Sequence, residues 1–249
     1  MTSDGVQRAS IRYDGATTIG LNLLPDLVPL YRQLGYGLSY VGERGTNPGL
    51  EAVRAGEVDV AGVMREITAA ERAEPLRWAL IGHDALGVFV HPSNPVLSLD
   101  RAQLKGIFTG AVRSWDAVGG PARPILPLSE KRAGGRGTVV EFRRLVLEGA
   151  DYGPVRELED APDCVKEVAA EPGGITVAST SMAIPGVRTL AVEGVAPTPE
   201  QVRARAYALG RPMYLVARAA ASTAAAALLD LALSDAGQAI VARKFTPAR

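Results

Sequence analysis

The alternation of strand-like apolar runs with helical patterns is the feature that most constrains the fold. Short runs such as "GLSYVGE", "VDVAGVM" and "DALGVFV" alternate with amphipathic stretches such as "LNLLPDLVPLYRQLG" and "NPGLEAVRAGE". Later strands are predicted in "PILPLS", "GGITVAST" and "RPMYLVAR", and later helices in "TAAAALLDLAL" and "SDAGQAIVARK". Strands that alternate with helices build a mostly parallel sheet covered by helices. The sequence therefore predicts an α/β fold.

Length and charge exclude several function classes. A chain of 249 residues with 47% hydrophobic content is long enough for one large domain or two lobes with packed cores. Lys and Arg together number 27 and match 27 Asp and Glu, so no overall field draws the protein to nucleic acid or anionic lipid. We expect no nucleic-acid partner.

Cysteine and histidine give little support for catalysis or metal binding. Cys164 is the single cysteine and cannot form an internal disulfide. His83 and His91 are the only histidines, and no carboxylate lies at metal-ligand spacing from them. No Ser-His-Asp or Cys-His set can be assembled. We therefore expect no cofactor, no metal and no enzymatic activity.

No segment is long and apolar enough to predict a membrane span. No run reaches the roughly 18 apolar residues that a span needs, and the start "MTSDGVQRAS" lacks the apolar core of a signal peptide. If the natural protein is exported, its targeting segment is expected to be missing from this chain.

Three loops combine glycine and threonine between a predicted strand and a predicted helix. They are "DGATTIG" with Thr17 and Thr18 before a helix near Leu21, "GERGT" from Arg44 to Thr46, and "GGRGT" ending at Arg136 to Thr138. A helix N-terminus offers unpaired N–H groups and partial positive charge, glycine permits close approach, and Thr adds a hydroxyl. Three such loops favour one converging anion pocket. The alternative is that each Gly-Thr pair is only a turn and an N-cap.

Other conspicuous residues have structural interpretations. Ser98 is expected to cap the helix in "LDRAQLKGIF", and Trp115 to anchor packing around "VRSWDAVGG". Asp84 precedes a strand and is expected to cap or to bond the backbone.

The order of these segments resembles the phosphate-binding proteins of ABC importers, which are periplasmic-binding-protein-like. The blocks "IFTGAVRSWDAVGG" and "APTPEQVRARAYALGRPMYL" are specific to that family, and the resemblance covers nearly the whole chain. It implies a two-lobed Venus flytrap of type II with a mixed, mostly parallel sheet in each lobe. Residues 1–86 with 212–249 would form lobe 1, residues 87–211 would form lobe 2, and the ligand would lie in the cleft between them.

The resemblance also implies a site. Phosphate would be held by helix-start N–H groups, hydroxyls and an arginine; the residues so implied are Thr17, Thr18, Arg44, Thr46, Arg132, Arg136, Gly137 and Thr138. Arg132 would pair with two oxyanion oxygens through its guanidinium fork. The chain would be an exported, periplasmic or cell-surface solute-binding monomer that captures inorganic phosphate or a related oxyanion and delivers it to an ABC permease.

The chain departs from the family pattern in places that affect this site. Arg44 and Arg136 replace the usual Ser, and Val63 and Met64 replace Ser followed by Ser or Asp. Either both arginines face solvent, or both enter the cleft beside Arg132. The second arrangement requires a larger or more highly charged anion, or acidic partners such as Glu43 and Glu130. The alternative functions are a sensor or protein-interaction module with an altered cleft, and a receptor for a larger or more highly charged anion.

Overall fold

The computed structural model describes residues 9–133 and 136–248. Its strands are β1 Ser10–Gly15, β2 Gly37–Val41, β3 Val60–Val63, β4 Leu76–Val90, β5 Ser98–Leu99, β6 Leu126–Glu130, β7 Arg156–Leu158, β8 Gly174–Ser179, β9 Arg188–Val192, β10 Gly210–Arg218 and β11 Thr246–Pro247. Its α-helices are α1 Thr17–Asn22, α2 Leu24–Gln33, α3 Thr46–Ala55, α4 Ala69–Arg72, α5 Arg101–Thr109, α6 Gly137–Leu145, α7 Ala161–Ala170, α8 Pro199–Arg203, α9 Thr223–Leu233 and α10 Asp235–Val241. The chain is α/β, as the sequence predicts.

The described residues divide into two compact units. Unit 1 comprises those of Met1–Gly82 together with Pro212–Arg249, and unit 2 comprises His83–Arg211. The first boundary follows Gly82, whereas the sequence places it at residue 86. Both β4 and β10 run through a boundary, so the chain leaves and re-enters unit 1 within strands.

Unit 1 is built on a mixed sheet in the order β2-β1-β3-β10. β1 lies parallel to β2 and to β3, and β10 is antiparallel to β3 with Tyr214 opposite Val63. Helices from both ends of the chain complete its core, where Ile19 and Leu27 of the first helices share one cluster with Leu228 and Leu229 of α9. The parallel strands β1 and β3 end side by side, which places the loops that follow them at one edge.

Unit 2 has a second mixed sheet. β6 runs parallel to β7 and β8, and β8 is antiparallel to β4. Fully buried Phe108, Trp115 and Phe142 belong to its main core cluster, and the Trp115 indole donates to the Gly173 carbonyl at 3.1 Å. Since β6 and β8 run the same way, the segments after Glu130 and Ser179 leave the sheet at the same edge.

Two local predictions are corrected. The predicted helix near Leu21 is two helices, because α1 already begins at Thr17 and Leu23 separates it from α2. Pro25 in the first turn of α2 suits a new helix start, where its missing N–H costs nothing. Ser98 does not cap α5: it lies in β5, and Asp100 caps α5 in a capping box with Gln103.

Within the described chain no single helix has the length and apolar character to cross a bilayer; α9 and α10 satisfy the criteria only as a pair bent by 66°.

Candidate anion-binding site

The three predicted loops each lead into a helix that has no side-chain cap. The N-cap residues of α1, α3 and α6 are Ala16, Gly45 and Arg136, and none of them makes a capping side-chain hydrogen bond. α2 also lacks one, and it follows α1 directly. The N-caps of the other α-helices accept from the first turn; they are Thr68, Asp100, Asp160, Thr198, Ser222 and Ser234. The uncapped first turns keep N–H groups available for another acceptor.

The threonines of these loops are therefore not N-caps. Thr17 and Thr46 are the first residues of their helices, and Thr138 is the second residue of α6. The Thr17 hydroxyl donates to the Glu43 carbonyl at 3.4 Å, and Thr18 is buried. The buried Thr46 hydroxyl accepts from the Met64 N–H at 3.2 Å, which leaves its own hydrogen to donate.

Close backbone contact brings the first two loops together in unit 1. Gly45 donates its N–H to the Gly15 carbonyl at 3.0 Å. A Cβ added to Gly49 of α3 would lie 2.5 Å from the Gly15 Cα, and Gly15 itself has a φ of +140°. Only glycine fits such an approach, so the starts of α1 and α3 are held near each other. Val63 and Met64 are fully buried in the cores of this unit.

Arg44 binds a buried carboxylate. Its Nε donates to Asp14, its backbone N–H donates to the same carboxylate at 3.0 Å, and Asp14 also accepts the Gly15 N–H at 2.7 Å. Asp14 is completely buried, whereas 51% of the Arg44 side chain is exposed. The hydrogen bond that Arg44 donates to Asp14 raises the pKa of Arg44. Arg44 is thus half in solvent, and its charge is balanced from inside.

Arg132 of unit 2 also has an acidic partner. Its Nε donates to Glu157 Oε1 at 2.7 Å, its backbone N–H donates to Oε2 at 3.2 Å, and its guanidinium lies 5.6 Å from the Tyr152 ring centroid. These hydrogen bonds, led by that of the backbone N–H, lower the pKa of Glu157. The fork predicted to hold two anion oxygens is occupied by this carboxylate.

Arg136 lies 3.5 Å from Glu130, measured from Nη1 to Oε2. Glu130 is 8% exposed, and burial raises the pKa of its carboxyl against the lowering effects of Arg136, Arg211 and the Thr138 hydroxyl. A small, partly open pocket adjoins this pair; its lining includes Ser129, Glu130, Thr138 and Tyr152. Gly134 and Gly135 of the same loop lie outside the described residues.

The charges of the candidate site are therefore balanced within the chain. Arg44, Arg132 and Arg136 face Asp14, Glu157 and Glu130 respectively. Glu43 and Glu130 were the acidic partners suggested from the sequence, and Glu130 is the one that pairs with Arg136. A site with three unpaired guanidinium groups does not match this arrangement, and neither does a site whose arginines only face solvent.

One buried ion pair near Glu130 was missed from the sequence. Arg211 donates to Asp84 through Nε at 3.0 Å and Nη2 at 2.8 Å, and Ser179 donates to the same carboxylate at 2.7 Å. The expectation that Asp84 bonds backbone is wrong, because side chains satisfy it. Its partner is 127 positions away, and no local pattern links the two.

Across residues 9–133 and 136–248, no three or more His, Cys, Asp and Glu side chains form a group suited to a metal ion. His91 contacts the Ser93 hydroxyl at 2.7 Å. The site's chemistry is that of hydrogen-bond donors and paired charges.

A family comparison fits this geometry. The family model of the PBP superfamily domain matches residues 2–236. The chain belongs to this family. The phosphate-binding protein PstS of Bacillus subtilis (strain 168) is 28% identical over 204 residues, or 81% of this chain. The aligned part is 63% of that protein, so the chain spans less than two thirds of this curated relative's length.

Several solved structures share the fold. A putative phosphate ABC transporter substrate-binding protein with bound phosphate, from Clostridium perfringens, gives a TM-score of 0.85 at 24% identity, over 96% of this chain and 100% of that one. An ABC-type phosphate transport receptor from Vibrio cholerae gives 0.81 at 22% identity with the same coverage. The OxyR regulatory domain from Pseudomonas aeruginosa gives 0.60 at 17% identity, over 90% and 97%. The fold is thus common to transport receptors and regulators.

Proposed function

We propose that this PBP superfamily chain is a solute-binding protein that captures a small oxyanion, phosphate, without changing it chemically. The observation that carries the proposal is the selective absence of side-chain caps. The helices entered from the three Gly-Thr loops lack them, while six other α-helices have them. An uncapped helix start offers free N–H donors and partial positive charge to an oxyanion.

The paired arginines favour a small anion over a larger one. Each of Arg44, Arg132 and Arg136 already faces a carboxylate, so the loops carry no surplus of positive charge for a polyanion. Neutral donors then carry the binding: helix N–H groups, including that of Gly137, and the hydroxyls of Thr17, Thr18, Thr46 and Thr138. That groups from both units act on one anion stays a prediction.

We propose the transport setting from the relatives. The names of the Bacillus protein and of two structural neighbours describe phosphate binding, and two of them name ABC transport. A chain with this role works outside the cytoplasm and passes its ligand to a membrane permease. A monomer suffices for such a role, because one chain contains all three loops.

Ligand-induced thermal stabilisation tests the proposal. Protein stripped of bound anions by unfolding and refolding is heated at low salt with phosphate, sulfate, phosphonates, pyrophosphate or citrate. A ligand at a hundredfold its Kd adds about 2.7 kcal/mol, which raises the midpoint by roughly 5–10 °C in a chain of this size. We expect the largest shift with phosphate.

Two variants locate the effect. Thr138→Val removes a hydroxyl from the first turn of α6 and should reduce the phosphate shift. Thr109→Val removes a hydroxyl that bonds the Lys105 carbonyl at the far end of a helix in the same unit, and should leave the shift unchanged. A shift only with larger anions would contradict the choice of phosphate. No shift with any anion would favour a sensor or protein-interaction module.

A further inference from the structure

Glu130 is a buried carboxylate that lies beside Arg136, the N-cap residue of α6. It is the last residue of β6, is 8% exposed, and belongs to the lining of the small pocket described above. Its carboxyl is hydrogen-bonded by the Thr138 hydroxyl and lies 3.5 Å from Arg136. Thr138 and Arg136 belong to the uncapped beginning of α6, a helix of nine residues. The chain's own carboxylate therefore already uses the donors that an external oxyanion needs.

A second cation acts on the same carboxyl. Arg211 is 2% exposed and lowers the pKa of Glu130 through its charge. Two of its nitrogens bind Asp84, while Nη1 is buried and has no hydrogen-bond partner among the described residues. A buried guanidinium N–H without an acceptor is costly, and it marks a place where an additional acceptor is favourable.

The remaining groups around Glu130 have mixed effects on its charge. The titratable and charged neighbours from the packed elements are Arg136, Arg211, Asp160, Tyr152 and Cys164. The two arginines favour the ionised carboxylate, whereas Asp160 and burial disfavour it. Burial is the largest of these effects, so the charged form of Glu130 is held at a cost.

We propose that Glu130 is a specificity-determining residue of this site: its carboxylate competes with the bound anion for Arg136 and Thr138, so that an anion binds together with uptake of one proton by Glu130. The proton comes from solvent and neutralises the carboxylate, and no covalent bond changes. A second negative charge beside an ionised, buried Glu130 would be repelled at short distance in a poorly screened place. This inference rests on the proposed function.

The experiment is isothermal titration of phosphate at pH 5 to 8, in buffers of different ionisation enthalpy. These buffers report how many protons are taken up on binding. Sulfate is titrated in parallel, because it does not change protonation in this range. The proteins are the full chain, Glu130→Gln, Glu130→Leu and the control Glu141→Gln. Glu141 is a buried carboxylate of α6 that pairs with Arg144 at 2.6 Å and does not line the pocket.

The expected result is proton uptake by the full chain beyond that of phosphate itself, with anion affinity weakening toward about tenfold per pH unit above the pKa of Glu130. Glu130→Gln should bind at least tenfold more tightly at pH 8 and lose the extra proton, while Glu141→Gln should keep the original profile. Glu130→Leu should lose the proton as well, which provides a second reading if one variant folds poorly.

Two results would overturn the proposal in distinguishable ways. If the full chain and Glu130→Gln bind phosphate with the same pH profile and proton count, Glu130 has no such role and the proposed function stands. If neither protein binds phosphate or sulfate at any pH, both this proposal and the proposed function are wrong.

Discussion

Replacing Arg211 by Met tests the buried ion pair of unit 2. The side chains of Arg211 and Asp84 are 1% and 0% exposed, so Arg211→Met leaves a carboxylate in the interior without its cation. Removing one partner of such a pair typically costs about 3–5 kcal/mol. The Ser179 hydroxyl still donates to Asp84 at 2.7 Å, which places the expected loss near the lower end of that range.

The measurement is the midpoint of thermal unfolding, which is monitored by calorimetry and by circular dichroism. For a chain of this size each kcal/mol moves the midpoint by about 2–4 °C, so a loss of about 3 kcal/mol lowers it by roughly 6–12 °C. The control is Arg101→Met, because Arg101 is 51% exposed and its partner Glu193 is 40% exposed. A surface pair of this kind contributes at most about 1 kcal/mol, and the control should shift by only a few degrees at most.

A double variant separates charge from shape. Adding Asp84→Asn to Arg211→Met removes the unpaired charge and keeps an acceptor for the Ser179 hydroxyl. The double variant should therefore recover at least half of the decrease in the unfolding midpoint that Arg211→Met causes. If Arg211→Met lowers the midpoint by less than 2 °C, or if the double variant is as unstable as the sum of the single ones, the buried pair does not contribute as reasoned.

Three further predictions concern unit 1. Arg65 and a capping hydrogen bond hold the pKa of Glu71 at about 2, so its contribution is complete above pH 4.5 and disappears as the pH falls toward 2. The free energy of unfolding in urea should be roughly 2 kcal/mol lower at pH 3 than at pH 7 because of this group alone, and Glu71→Gln should lack that part of the decrease. Gly49→Ala should cost about 1–3 kcal/mol in a thermal melt, since its Cβ would meet the backbone of β1 at 2.5 Å; an unchanged midpoint would contradict the close approach. Thr46→Val should cost about 1–3 kcal/mol by urea unfolding because the Met64 N–H loses its acceptor, and a loss below 0.5 kcal/mol would exclude that role.

Most of the fold follows from short-range pattern. The segments "VDVAGVM" and "GGITVAST" contain β3 and β8, "RPMYLVAR" covers all of β10 except Gly210, and "TAAAALLDLAL" is α9. These elements are predictable because burial imposes a period on neighbouring residues. The break between α1 and α2 at Leu23 and the N-cap of α5 at Asp100 are harder to predict, since several nearby residues can begin a helix.

The sequence predicts the loops of the candidate site but not the ion pairs that its arginines make. The loops are recognisable because glycine, threonine and the helix pattern lie within a few residues of one another. The carboxylate partners of the arginines are not recognisable in this way, because Arg44 and Asp14 are 30 positions apart in the sequence and Arg132 and Glu157 are 25 positions apart. Contacts of that range depend on how strands are ordered in the sheet, which composition and period do not specify.

The two passages of the chain through the unit boundary affect the order of folding during synthesis. Unit 2 is continuous, so all of it can leave the ribosome while unit 1 still lacks Pro212–Arg249. The late segment supplies α9, whose Ala224 carbonyl accepts the Tyr31 hydroxyl at 2.7 Å and whose leucines complete the core of unit 1. The amino-terminal third of the chain therefore keeps apolar surface exposed until Pro212–Arg249 has been synthesised, a state that chaperones recognise.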